Sequence, residues 1–169
     1  MNASKGPRTS VAAMTTSLEA VLARVAKELE RSMSPHNHPG TAYVGGITKL
    51  GANLDAFLLD VWSWSCAHLG LDPRATALRQ PQPILLDRAT AGQLLHLLST
   101  LAKLPVAAQP EVEWVIAEAR DGSALHRALE LRNAIVHGRE MPDVATIRTS
   151  LERVQRALAP QLERLRQLA

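Results

Sequence analysis

From Thr16 to Ser32, Leu18, Val21, Leu22, Val25 and Leu29 recur three or four positions apart, the period that lines one face of an α-helix. "SPHNHPGTAYVGG" then breaks the pattern with two prolines and three glycines, which predicts a connection. In "ITKLGANLDAFLLDVWSWSCAHL" the apolar positions cover most of the circumference, as in a helix touched from several sides. Residues 70–86, ending "QPQPILL", read as a second loop. Asp87 or Thr90 is placed to cap a helix over "ATAGQLLHLLSTLAKL", which must stop before Pro105. A shorter helix, "EVEWVIAEAR", follows Pro110, a residue suited to a first helical turn. Ser123 is the expected cap of the next helix, and Gly138 its expected end, because glycine tolerates positive φ. From Pro142 a last helix carries Leu151, Val154, Leu158, Leu162, Leu165 and Leu168, with a bend expected at Pro160. No internal repeat is visible.

The pattern predicts an all-α bundle of about five to six helices joined by some longer connections. Residues 1–13 read as a disordered leader of small and polar residues, and 14–169 as a single domain. Composition strengthens this reading. Aromatic residues are 3% of the 169 positions, so Leu, Ala and Val must fill the core, and strand signals are nearly absent. The formal charge is +3 and the sequence pI about 9.5, which permits contact with phosphates without demanding it. The single cysteine, Cys66, excludes an intramolecular disulfide and a cysteine-built zinc site. No secretion signal and no apolar run of membrane-spanning length is present, so the expectation is a cytoplasmic protein without membrane contact.

One stretch does not fit a plain bundle. In "LELRNAIVHGRE", residues 129–140, an arginine and an asparagine interrupt the apolar series and a histidine follows. At about 100° per residue, Leu125, Val136 and Leu129 fall within roughly 60° of Arg132 on one side, and Ala128 and Ile135 within roughly 60° on the other. Arg132 is thereby expected in the middle of the apolar stripe. A guanidinium cannot be neutralised by losing its proton, so it must meet a carboxylate, backbone carbonyls, a subunit boundary or an anionic ligand. Asn133, His126, His137 and Glu130 form a polar edge beside it. Asn133 and His137 are four residues apart, close enough for the amide to orient the imidazole. Arg132 and His137 diverge by about 140°, which calls for the reach of the arginine, distortion near Gly138, or groups from a second subunit. A structural ion pair for Arg132 and a solvated face for His126 and Glu130 are the competing readings.

"RNAIVH", residues 132–137, matches the R-x4-6-H motif of the HEPN superfamily in its x4 form, with a polar residue directly after the arginine. The context "ELRNAIVHG" and the helix "ATAGQLLHLL" are similar to the family's pattern as well. The resemblance implies a helical bundle that pairs about a twofold axis and, in many members, a metal-independent ribonuclease. It would make Arg132 the contact and polariser of the scissile phosphate, His137 the general acid/base and Asn133 the group that orients it; Arg139 and His126 are candidate RNA contacts beside them. The ribose 2′-OH would attack, leaving a 2′,3′-cyclic phosphate and a 5′-OH. No cofactor or metal is implied; RNA, a second copy, and an antitoxin or defence-system protein are the implied partners. One departure is Arg139, which stands where the toxin branch paired with a nucleotidyltransferase antitoxin has a tyrosine. The alternative within the same resemblance is a non-catalytic dimerisation or adaptor module.

Other features carry less. "HNH" at 36–38 lies in a Pro/Gly-rich loop with spacing that suits neither helix-borne zinc ligation nor a finger. "VGG" and the lone Gly51 lack the Gly-Lys-Ser/Thr of a phosphate loop. Trp62 and Trp64, two apart, must point to different sides, and Cys66 reads as a small core residue.

Overall fold

The computed structural model describes residues 11–33, 42–101, 123–137 and 142–168. They form six helices and no strand: α1 Val11–Met33, α2 Ala42–His68, α3 Pro73–Leu78, α4 Ala91–Leu101, α5 Ala124–Val136 and α6 Val144–Leu168, with a 3-10 turn at Leu86–Arg88 before α4. The all-helical expectation holds for these residues. "EVEWVIAEAR" and "HNH" lie outside them.

Helix α1 begins at Val11, within the stretch expected to be a leader. The hydroxyls of Thr15 and Ser17 donate to the Val11 and Ala13 carbonyls one turn back, at 2.8 and 3.0 Å, which keeps both residues inside the helix. Helix α2 also starts earlier than its apolar run, taking in Gly45 and Gly46. The reason is tertiary. A Cβ on Gly46 would collide with the carboxylate of Glu28, a fully buried residue of α1. Only a glycine lets the two helices approach there. The expected loop 70–86 contains α3, because Pro73 sits in the first helical turn and Asp72 accepts from the Ala75 N–H at 2.7 Å.

Helix α2 is the centre, in contact with α1, α3, α4 and α5, while α6 packs along α1 and α5. Its buried face runs Ile47, Leu50, Leu54, Phe57, Leu58, Val61, Trp62 and Cys66. Trp62 is fully enclosed and donates its indole N–H to the Pro73 carbonyl at 3.2 Å, which ties α3 to α2. Trp64 takes the other side and stacks on His68 at 4.9 Å. Leu151, Val154, Leu158 and Leu165 of α6 are buried as the spacing predicts, but Leu168 is exposed, and the helix continues through Pro160.

Candidate functional site around Arg132 and His137

Helix α5 is set by its ends. The Ser123 hydroxyl accepts from the His126 N–H at 3.2 Å, the expected cap. At the other end His137 leaves helical geometry (φ −90°, ψ 2°), and its N–H still reaches the Asn133 carbonyl. Leu125, Ala128, Leu131 and Ile135 form the buried face, whereas Val136 is 40% exposed. The stripe is therefore turned toward Leu131 and away from Val136. Arg132 is half-buried and lies between Ala128 and Leu125 on that face, within the stripe as the spacing predicts. Position 136 has no neighbour to cover it among the described residues, and sequence spacing cannot reveal that.

The arginine is held in an unusual way. Its side chain runs over Gly51 of α2, where an added Cβ would come within 3.0 Å of Nε and 3.3 Å of Cγ. Pressed there, Nε is buried with no hydrogen-bond partner. Nη1 donates to Asn133 Oδ1 at 2.9 Å, and among the described residues no carboxylate comes within ion-pair distance of the guanidinium. One turn along α2 from Gly51 stands Asp55. Burial raises its carboxyl above the ordinary carboxylate range, while the Ala91 N–H at the start of α4 and the positive charge of Arg132 pull it back. Sequence reading missed Asp55. Its signal was its spacing, since Gly51 and Asp55 share one face of α2 at i, i+4.

His137 is exposed and opens, with Glu130, Asn133 and Ala134, onto a shallow depression of about 460 Å³. Arg132 is not part of its wall. The chain thus brings Asn133 and His137 together but turns Arg132 to the adjoining face, as their angular separation on the helix requires. Asn133 joins the two sides differently from the expectation: its carboxamide oxygen accepts from Arg132, and it makes no hydrogen bond to the imidazole. His126 lies one turn earlier on the polar edge, its Nδ1 3.6 Å from Glu130 Oε1. Arg139 lies outside the described residues. A second, larger groove of about 560 Å³ adjoins the depression through Glu130 and Ala134 and runs between α5 and α6, with Arg127 and Arg153 in its walls.

Arg132 offers N–H donors that, among the described residues, have no carboxylate within ion-pair distance, and His137 offers an accessible imidazole at a helix end. Such donors can bind a phosphate oxygen, and such an imidazole can move a proton near neutral pH. The chain matches no family model, no curated protein and no solved structure.

Proposed function

We propose that this chain is a metal-independent endoribonuclease of the HEPN type, acting as a homodimer in the cytoplasm with an antitoxin or defence-system protein as partner. The observation that carries the reading is the guanidinium of Arg132: half-buried, with an unpartnered Nε and, among the described residues, no carboxylate in ion-pair reach, beside Asn133 and His137 at the motif's spacing. A charge only partly compensated in that way has a cost to the fold that a bound phosphate would offset. Arg132 binds the scissile phosphate and spreads the charge that develops on it. The 2′-oxygen attacks phosphorus while one imidazole accepts its proton, and the bond to the 5′-oxygen breaks as an acid supplies a proton to the leaving oxygen. Two facing copies supply two His137 side chains for those two transfers, and Arg132 of one copy comes alongside His137 of the other. That arrangement relieves the divergence within one protomer. No helix among the described residues is long and apolar enough to cross a membrane, which agrees with a substrate in solution.

The test is cleavage of total tRNA and mRNA in EDTA, with end-group analysis and sedimentation of the same samples. Wild type yields 2′,3′-cyclic phosphate and 5′-OH ends and leaves DNA intact. Arg132→Ala and His137→Ala each lower the rate by about a hundredfold or more while the dimer and the helical spectrum persist. If both variants cut as fast as wild type, the site is elsewhere. The second reading, a non-catalytic dimerisation module, is favoured by one contact: Asn133 Oδ1 is engaged by Arg132 and not by His137. It expects no cleavage by wild type and loss of stability on truncating Arg132.

A further inference from the structure

The Arg132 side chain lies against α2, one turn from Asp55, whose carboxyl responds to the guanidinium charge. The arginine stem lies over Gly51 of α2, Asp55 shares that helix face one turn on and accepts from the Ala91 N–H at the start of α4, and Leu129 of α5 packs within 3.2 Å of where a Gly92 Cβ would stand. Asp55 is close enough for the two charges to act on each other, yet no hydrogen-bonded ion pair forms between them. The guanidinium keeps its place through the stem lying on Gly51 and through Asn133. Its positive charge is therefore only loosely balanced within the protomer, by a carboxylate that stands off.

We propose that Asp55 is a positioning residue for Arg132: a resident counter-charge that partly balances the guanidinium while the site is empty and competes with an incoming phosphate-type oxyanion for it. The proposal rests on Arg132 as a phosphate contact, the first half of the functional reading above, and not on RNA cleavage. A carboxylate that only filled space or capped α4 would contribute to stability but would leave anion affinity alone. A standing competitor does the opposite when its charge is removed: it releases Arg132 to the anion. It also makes specific demands on the substitution, since charge and not shape is the acting property.

The experiment uses the full chain and sulfate, a dianion of constant charge above the carboxylate range, titrated at fixed ionic strength with the melting temperature as readout. Wild type is stabilised by sulfate, and Arg132→Ala loses that response. Asp55→Asn binds sulfate about two- to fivefold more tightly, the size of one partly solvated charge interaction, and Asp55→Glu, which restores the charge, returns the affinity toward wild type. Glu163→Gln, which removes one exposed carboxylate from α6, controls for net charge and leaves the affinity as it was. The proposal is overturned if Asp55→Asn and Asp55→Glu behave alike, if Asp55→Asn leaves affinity unchanged, if Arg132→Ala keeps the sulfate response, or if wild type shows none. Because melting is read without RNA, a chain that binds sulfate as described but cuts no RNA sinks the ribonuclease and leaves this inference standing; cleavage with an indifferent Asp55 does the reverse.

Discussion

Glu28 is the residue whose surroundings are least expected for a carboxylate. It is fully buried on α1, with Arg24 and Arg31 on its own helix 3.7 and 3.5 Å from Oε1 and its other oxygen without a hydrogen bond. Gly46 of α2 presses directly on the carboxylate. Removing a partner from such a group is costly, because the desolvation has already been incurred. A methyl group at position 46 has nowhere to go except into the carboxylate, and displacing the carboxylate disturbs both arginines. Gly46→Ala is expected to cost about 1–3 kcal/mol, an overpacking penalty. In a Glu28→Ala background, where the obstruction is gone, the same substitution is expected to cost almost nothing. Urea denaturation of the four proteins gives the coupling, and equal costs in both backgrounds would mean that the close approach is not what fixes the glycine.

At the scale of single elements, the caps of α4 and α5 follow from local chemistry and were legible. Ser123 caps α5, and Thr90 and Gln93 of α4 exchange side-chain-to-backbone hydrogen bonds at 3.1 and 3.4 Å, a reciprocal cap readable from two residues. Asp143 does the same for α6. It accepts from the Thr146 N–H at 2.7 Å, and its carboxyl is held below the ordinary 3.8 by hydrogen bonds from the Thr146 side chain and backbone. A depressed pKa in the folded state means the stabilisation is complete above the unfolded value and is lost as pH falls through the folded one. The Thr146 amide resonance is therefore expected to titrate with a midpoint below 3.8, and Asp143→Asn, which keeps an acceptor without the proton equilibrium, to abolish that step. A midpoint at or above the ordinary value would contradict the cap. What the chain did not disclose depends on neighbours. Gly46 looks like a breaker until Glu28 is seen beneath it. Pro73 and the prolines at 81 and 83 look like a loop until α3 is seen to start on the first of them. The motif residues were legible on one helix, but the exposure of Val136 depends on how the neighbouring helices surround α5, as does the nearness of Asp55 to Arg132.

For the molecule as a whole, the central position of α2 makes one side chain a reporter of cooperativity. Cys66 is fully buried, and burial first, with the charge of Asp72 adding to it, pushes its thiol up to about 12. At pH 8 the thiolate fraction is then roughly one in ten thousand, before access is considered. Reaction with a disulfide reagent must wait for an opening that both exposes and relaxes the thiol. Two openings are available. Detaching α3 alone breaks the Trp62–Pro73 hydrogen bond and the Leu71 N–H to Cys66 carbonyl bond, exposing little surface. Releasing α2 from α1, α4 and α5 amounts to global unfolding, since those contacts are the core. The two differ in denaturant dependence, because the slope reports the surface exposed. Ala77 of α3 belongs to the same buried cluster as Trp62 and Cys66, so α3 is expected to stay in place until the core gives way. The logarithm of the Cys66 modification rate is accordingly expected to rise with urea at the slope of equilibrium unfolding. A rate indifferent to urea below the transition would mean that α3 opens alone and that the bundle is two cooperative units instead of one.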